Sequence, residues 1–316
     1  MNNTIIFLIV CSILSIISTN ASAIEKKYQP SVQEKELMQA SMIGDIDQVN
    51  TLLQQGVSVN SHGRYGKTAL MFAIEEGNDD VAHLLINKGA DVNIRTIPGC
   101  TALTFSAEGG YPKLTHLLLK NGAKTQNKTR SGWDALMMSA VYNHPKVLKE
   151  LIQAGANIDT QDKDGNTALM AAAQRGHLKI IRILLEAGVH TEIHNKDNAT
   201  ALMVAAAHGQ ISVIKELLKQ GCSLEAQSDD GSTALFWASE ADQLNAMKLL
   251  LESGADPNHQ DINGSTAVME AYIQRNFDAA ILLYQYGADP SIKDKDGLSG
   301  FDYAKEVYQY DKNKKH

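Results

Sequence analysis

Charged side chains are missing from the first 23 residues of this 316-residue chain. Cysteine is limited to Cys11, Cys100 and Cys222, proline to six positions and aromatics to 6% of the residues. Few prolines beside 23 glycines suit many short elements joined by tight turns. Nor is there an excess of basic charge: 29 Lys and Arg face 36 Asp and Glu, a net of −7. A general nucleic-acid binder needs a basic face to displace counterions, so that class is excluded. The sequence also lacks HExxH, G-x-S-x-G and CxxC spellings, and with them any signal for a hydrolase or a metal enzyme. What remains, 44% hydrophobic and 21% charged residues, is the composition of a packed fold.

The uncharged leader has a recognisable grammar. From Ile5 to Ile17 the run is apolar except for Cys11, Ser12 and Ser15, and Ala21-Ser22-Ala23 follows, the small-x-small pattern of a cleavage site. A membrane span needs about 20 apolar residues, more than this run supplies. The expectation is a cleaved export signal over 1–23 and a mature chain beginning at Ile24, with an uncleaved anchor as the alternative. Val10 stands before Cys11 where a lipoprotein site wants a small residue, so lipidation is set aside. Localisation follows: exported, to the periplasm of a Gram-negative bacterium or otherwise secreted, with no stable membrane insertion after cleavage.

The rest of the chain repeats itself. Thr68-Ala69-Leu70 recurs as Thr101-Ala102-Leu103, Asp134-Ala135-Leu136, Thr167-Ala168-Leu169, Thr200-Ala201-Leu202, Thr233-Ala234-Leu235 and Thr266-Ala267-Val268, always 33 residues on. Gly56, Gly89, Gly122, Gly155, Gly188, Gly221, Gly254 and Gly287 keep the same step. Thr or Asp before an apolar run is a helix N-cap, because its oxygen accepts from the free N–H groups of the first turn. Gly77, Gly110, Asn143, Gly176 and Gly209 tolerate the positive φ that ends a first helix. A second helix follows, with Ile180, Ile183, Leu184 and Leu185 as examples of its apolar positions. Between pairs lie about eleven polar residues with turn formers such as Asp164-Gly165 and Asp230-Gly231, which suits a projecting hairpin. Helices of roughly nine residues are too short to persist alone in water, so the units must stack.

The unit from Asp162 through Thr167-Ala168-Leu169-Met170 and Gly176-His177 to Gly188 resembles an ankyrin repeat. The resemblance covers about 34–310 and implies an all-α ankyrin-repeat solenoid of stacked helix-turn-helix units with projecting hairpin-like loops. The expected organisation is a linker over 24–33, a capping repeat over 34–65 and repeats starting near 66, 99, 132, 165, 198, 231 and 264. A partial C-terminal cap from 297 and a basic, frayed tail over 311–316 complete it. Two departures are consistent. Ala replaces the family's Pro after Thr, and Met71, Thr104, Met137, Met170, Met203, Phe236 and Met269 replace its His, so apolar packing is expected there.

Architecture then decides the cysteines. Repeats stack ~10 Å apart, which puts Cys100 and Cys222 on the order of 35 Å from each other. A disulfide needs Cα atoms within about 7 Å. They cannot pair within one chain. Fragments that imitate sites fail on context: Gly66-Lys67-Thr68 reads as a turn and a helix cap rather than a phosphate loop. Asp162 to Gly165 and Asp294 to Gly297 lack the distal Glu of a calcium loop, which Ala171 and Tyr303 replace. His190 and His194 share a hairpin with no third ligand. No cofactor, metal or catalytic residue is assigned.

The resemblance implies protein binding through hairpin tips and the concave helix face. Early hairpins carry Arg64, Arg95, Lys124, Lys128 and Arg130; later ones carry Asp159, Asp162, Asp164, Asp229, Asp230 and Asp261. In ankyrin-like proteins the residues flanking the hairpin glycine, and two near the end of the first helix, face outward. Those places hold Arg64, Tyr65, Ile97, Arg130, Trp133, Val141 and Tyr142 in the first three repeats. Trp, Tyr and Arg dominate binding energy at interfaces, so these are the expected partner contacts, with Trp133 and Tyr142 as anchors. Phe72, Phe105, Met138 and Trp237 fall in a column assigned to core. The function expected is a monomeric, non-enzymatic scaffold for another protein. The alternatives are an inhibitor or accessory of an exported toxin or lipase, a host-directed effector and, disfavoured by the motif search, a hydrolase.

Overall fold

A computed structural model describes residues 29–313, so the segment expected to be an export signal, the first part of the expected linker and the last three residues lie outside the described residues. Within these bounds the chain is an all-α repeat fold of 17 helices. It divides into two compact units at Asn157 and Ile158.

Unit 1 holds α1 (Val32–Ile43), α2 (Ile46–Gln54), α3 (Ala69–Glu75), α4 (Asp79–Asn87), α5 (Ala102–Gly109), α6 (Pro112–Lys120), α7 (Ala135–Val141) and α8 (Pro145–Gln153). Unit 2 holds α9 (Ala168–Arg175), α10 (Leu178–Glu186), α11 (Ala201–Ala207), α12 (Ile211–Lys219), α13 (Ala234–Glu240), α14 (Leu244–Glu252), α15 (Ala267–Ile273), α16 (Phe277–Gln285) and α17 (Gly300–Asn313). In each unit first helices pack on first helices and second on second, and each pair also packs internally. The last helix, α17, runs three residues into the segment expected to be a tail.

The caps behave as their chemistry requires. Thr68, Asp134 and Thr167 accept from the N–H groups of Met71, Met137 and Met170 at 3.3, 2.9 and 3.2 Å. Thr266 occupies the same place without that bond, and its buried hydroxyl has no hydrogen-bond partner. Behind each cap the Leu, or Val268 in the last of these repeats, is buried, and the small-residue column from Ala73 and Ser106 to Ala271 is fully buried, letting first helices approach closely. Met71, Met137, Met170, Met203 and Met269 are buried too, as expected of apolar packing in the absence of the family's His. Thr104 solves the position differently. Its hydroxyl accepts from the Thr101 N–H at 2.8 Å while Thr101 accepts from the Thr104 N–H, a reciprocal cap.

First helices end in the left-handed region, at Gly77 and Gly110 but also at Asn143, Asp242 and Arg275, where a side chain accepts the strain. Over these ends lies a side chain from the next repeat. Asn78 donates to the carbonyls of Ser41 and Met42 at 3.0 and 2.9 Å, and Gln210 to that of Gln174 at 3.1 Å. A second set of ties escaped the sequence reading. Asn60, Asn93, Glu225 and Asn258 accept from the N–H groups of Asp91, Lys124, Asp256 and Asp289 one repeat on, at 2.7–3.0 Å.

Among the described residues no strand forms; the hairpins carry isolated antiparallel bridges such as His62 with Thr68 and Gln161 with Thr167. Neighbouring hairpins join by single main-chain bonds, including Ile97 N–H to the Tyr65 carbonyl at 2.8 Å and Ile262 N–H to that of Asp230 at 2.8 Å. Cys100 and Cys222 are buried thiols, and burial pushes Cys222 up to about 11. No described helix is long and apolar enough to cross a membrane.

Candidate interaction surface

Unit 1 carries a groove of about 280 Å³ where hairpins 62–67 and 95–100 meet α3 and α5. Its apolar lining is Tyr65, Phe72, Pro98 and Phe105; its charged lining is Arg64, Lys67 and Glu75. The Lys67 ammonium sits 4.4 Å from the Phe72 ring centroid and 4.7 Å from that of Phe105, and it is ion-paired with Glu75. Two ring faces and one carboxylate therefore hold a cation whose side chain is only 18% exposed. Arg64 stands exposed at the hairpin tip, its guanidinium 5.5 Å from the Tyr65 ring. Arg95 clasps the same region by donating to the main-chain carbonyls of Gly99 and Lys128. At Gly99, φ is +88°, and an added Cβ would lie 3.1 Å from the Lys128 oxygen, so this close approach requires glycine.

Six of the seven expected contact residues fall into three groups. Arg64 and Tyr65 line the groove. Ile97, half-buried, adjoins it through its bond to Tyr65, and the exposed Arg130 adjoins it by donating its N–H to the Pro98 carbonyl at 2.7 Å. Trp133 and Tyr142 are half-buried and not part of the groove lining. The Trp133 main chain closes its own hairpin, accepting from the Thr129 N–H at 2.7 Å and donating to the Thr129 hydroxyl at 3.1 Å.

Val141 corrects the expectation that it faces outward: it is 4% exposed. The same column holds the exposed Glu75 and Gln174, whose polar ends reach water. Ile273, the branched apolar residue of the same column, is exposed, so packing within its own repeat and not the register covers Val141. The assignment of one aromatic column to core is corrected as well. Phe105 and Met138 are buried, but Phe72 and Trp237 are half-buried, and Phe72 and Phe105 both line the groove. Lys67, Glu75, Phe72 and Phe105 are thus groove residues that sequence reasoning did not place among the candidate contacts. The available signal was the spacing: Lys67 stands two repeats before Trp133 in one column, and Phe72 one repeat before Phe105.

Unit 2 is mixed at the corresponding places: Lys163, Lys196 and Lys295 share the column of Arg64 and Arg130, whereas Asp164, Asp197, Asp230 and Asp296 share that of Tyr65. Trp237 donates from Nε1 to the Ser228 hydroxyl at 3.3 Å, and that hydroxyl in turn donates to Asp230 at 2.5 Å. Burial opposes ionisation of Asp230, but the Ser228 hydroxyl and the Ser232 N–H outweigh it and hold the carboxyl below its ordinary value. Glu240 moves the other way, raised first by burial and then by the charges of Glu270 and Asp230. The imitated metal fragments are turn devices. Asp162 accepts from the N–H groups of Asp164 and Asn166 at 2.9 and 2.8 Å, and Asp294 from those of Asp296 and Leu298 at 3.0 and 2.9 Å. His190 pairs with Asp159 at 2.5 Å, and His194 with the Asn198 carbonyl at 2.9 Å.

Against known families, the chain matches the family model described as Ankyrin repeats (3 copies), in overlapping segments 15–96, 37–129, 95–162, 136–228, 188–261 and 215–294. No curated protein matches it.

Proposed function

The chain belongs to the ankyrin-repeat family, and from that premise we propose that it is an exported, non-catalytic scaffold that binds a partner protein through unit 1. The family's repeats are protein-interaction scaffolds, which supports a binding role. The observation that carries the choice of unit 1 is its surface chemistry. Arg64, Tyr65, Phe72 and Pro98 stand together at a groove, with Arg130 bonded to its rim and Trp133 in the following hairpin. Aromatic rings and arginines beside a concavity supply apolar area at low entropic cost together with charge for orientation. Unit 2 keeps cations in the Arg64 column at Lys163, Lys196 and Lys295, but it has Asp164, Asp197 and Asp230 in place of Tyr65 and the small or polar Asn166, Ala199, Ser232 and Ser265 in place of Trp133. Export rests on the uncharged leader and on Ala21-Ser22-Ala23.

The test is binding by the full chain in its own compartment. Cross-linking the native protein and a variant carrying Arg64→Glu and Arg130→Glu is expected to recover one partner with the first and lose it with the second. Asp229→Ala, in unit 2, is expected to retain it. Retention by the charge-reversed variant overturns the assignment to unit 1. N-terminal sequencing of the exported chain is expected to read from Ile24, and an intact Met1 overturns cleavage.

A further inference from the structure

We propose that the groove of unit 1 is a seat for an acidic, extended segment of a partner protein, taking one aromatic or long aliphatic side chain with a carboxylate beside it. The inference deepens the reading of unit 1 as the binding unit and rests on it. Size comes first. Pockets for drug-sized ligands run from ~300 to 1,000 Å³, and this groove of about 280 Å³ falls below them. One large side chain suits it better than a metabolite. The walls supply the chemistry for that side chain: the half-buried rings of Tyr65 and Phe72, the edge of Pro98 and the buried ring of Phe105.

Charge selects what flanks it. Arg64 and Lys67 are the cations of the lining, and Glu75, its one acid, is already bonded to Lys67. The hairpins beside the groove add Arg95, Lys124, Lys128 and Arg130 against Asp91 and the buried helix cap Asp134. A basic partner segment would meet like charge along the hairpin rim, where an acidic one gains attraction. The acids beside the groove, Glu75, Glu76 and Glu108, stand on its helix side at the ends of α3 and α5, and Glu75 is bonded to Lys67. Lys67 is suited to the groove floor. The rings of Phe72 and Phe105 position its ammonium without neutralising it, and an incoming carboxylate shares it with Glu75. Main-chain groups bind the hairpins to each other through Ile97 and Tyr65, so the walls are set before a partner arrives.

The test uses the full chain, amide NMR and two tetrapeptides, acetyl-Glu-Phe-Asp-Glu-amide and acetyl-Lys-Phe-Lys-Lys-amide. The acidic peptide is expected to shift the amides of residues 63–67 and 96–100 saturably, and the basic one is not. Arg64 lies exposed at the tip, so Arg64→Glu should leave the fold intact and weaken the acidic peptide by about tenfold, as loss of a rim charge with reversal of its sign does. Phe72→Ala should weaken it while far-ultraviolet circular dichroism is unchanged. No saturable shift with the acidic peptide, equal shifts with both, or unchanged binding by Arg64→Glu each overturn the proposal. Its failure is separable from that of the broader reading. A partner lost on the Arg64→Glu and Arg130→Glu change, in a chain that ignores both peptides, keeps unit 1 as the binding unit and removes only the acidic segment.

Discussion

The His144 ring lies with Nε2 2.9 Å from the main-chain carbonyl oxygen of Glu108. A carbonyl only accepts, so Nε2 carries the proton, and the start of one repeat's second helix is tied to the end of the previous repeat's first. Gln210 makes the equivalent bond to Gln174 at 3.1 Å. His144→Ala is therefore expected to lower stability by about 1 kcal/mol, the net worth of such a bond, while His144→Gln recovers most of it. Urea denaturation midpoints of the two variants check this; equal midpoints would show that the bond contributes nothing.

Two caps with the same spelling should respond oppositely to loss of the hydroxyl. Thr167 accepts from the Met170 N–H, so Thr167→Val is expected to cost about 1 kcal/mol. Thr266 buries a hydroxyl with no partner, so Thr266→Val, which replaces it by a methyl of similar size, is expected to be neutral or stabilising. Leu169→Ala, in a fully packed position, should cost more than either, about 2–5 kcal/mol. Thermal melts of the three variants give the order directly.

The hairpin ties suggest a stabilising change. Asn93 and Asn258 accept from the next hairpin and also donate, to the carbonyls of Gly122 and Gly287 at 2.9 and 3.1 Å. Glu225 has no proton to donate and makes only the accepting bond, to the Asp256 N–H at 3.0 Å. Glu225→Asn should add the missing bond to Gly254 and raise stability by about 0.5–1.5 kcal/mol. A melting temperature at or below that of the parent chain would count against a donor role for this column.

Acid should loosen the C-terminal hairpin through Asp294. Burial raises its pKa, but the Tyr303 hydroxyl at 2.7 Å and the N–H groups of Leu298, Asp296 and Gly297 outweigh that and hold it low. A carboxyl lowered on folding stabilises above its unfolded value of about 3.9, and that contribution is lost as pH falls through the lowered value. Tyr303, raised to about 12 by its bond to Asp294, works the other way: its share is complete below about 10 and lost as pH rises through 12. Tyr303→Phe is expected to move the Asp294 carboxyl up toward the ordinary range in an NMR titration. It should also destabilise the protein at neutral pH more than at pH 2. An unmoved Asp294 titration would assign its low value to the main chain alone.

The repeat was legible because each column answers one local requirement, and 33-residue spacing displays the same answer seven times. The cap at Thr68, the buried Leu70 and the left-handed Gly77 need only their own helix to be understood. The groove needs neighbours. Phe72 looks like a core position until Lys67 from its own hairpin and Phe105 from the next repeat are set beside it. Asp242 and Arg275 adopt positive φ where the pattern leads one to look for Gly or Asn, because the fold around them fixes the turn. The tie at Asn60, Asn93, Glu225 and Asn258 was hidden by its changing residue type, since only the accepting oxygen is common to all four.

Trp133 and Val141 separate binding from packing within one repeat. Both were expected to face a partner, yet Val141 is buried and Trp133 is half-buried with its main chain closing the hairpin at Thr129. Truncating Val141 to Ala removes two methyl groups from the interior and should cost about 1–3 kcal/mol of stability, with little change in affinity measured well below the melting transition. Trp133→Ala should do the reverse. Its main-chain bonds survive the substitution, so the hairpin persists, while loss of an interface tryptophan typically weakens binding by roughly 2 kcal/mol or more. Tyr142→Ala is expected to weaken binding in the same direction and by less, because Tyr142 caps α7 through its main chain and offers less ring area. Titration calorimetry with the partner, beside denaturation of each variant, distinguishes the two residues. If Val141→Ala weakened binding while Trp133→Ala only destabilised the fold, the partner would be reading the α7 end, and the hairpin tip would be packing.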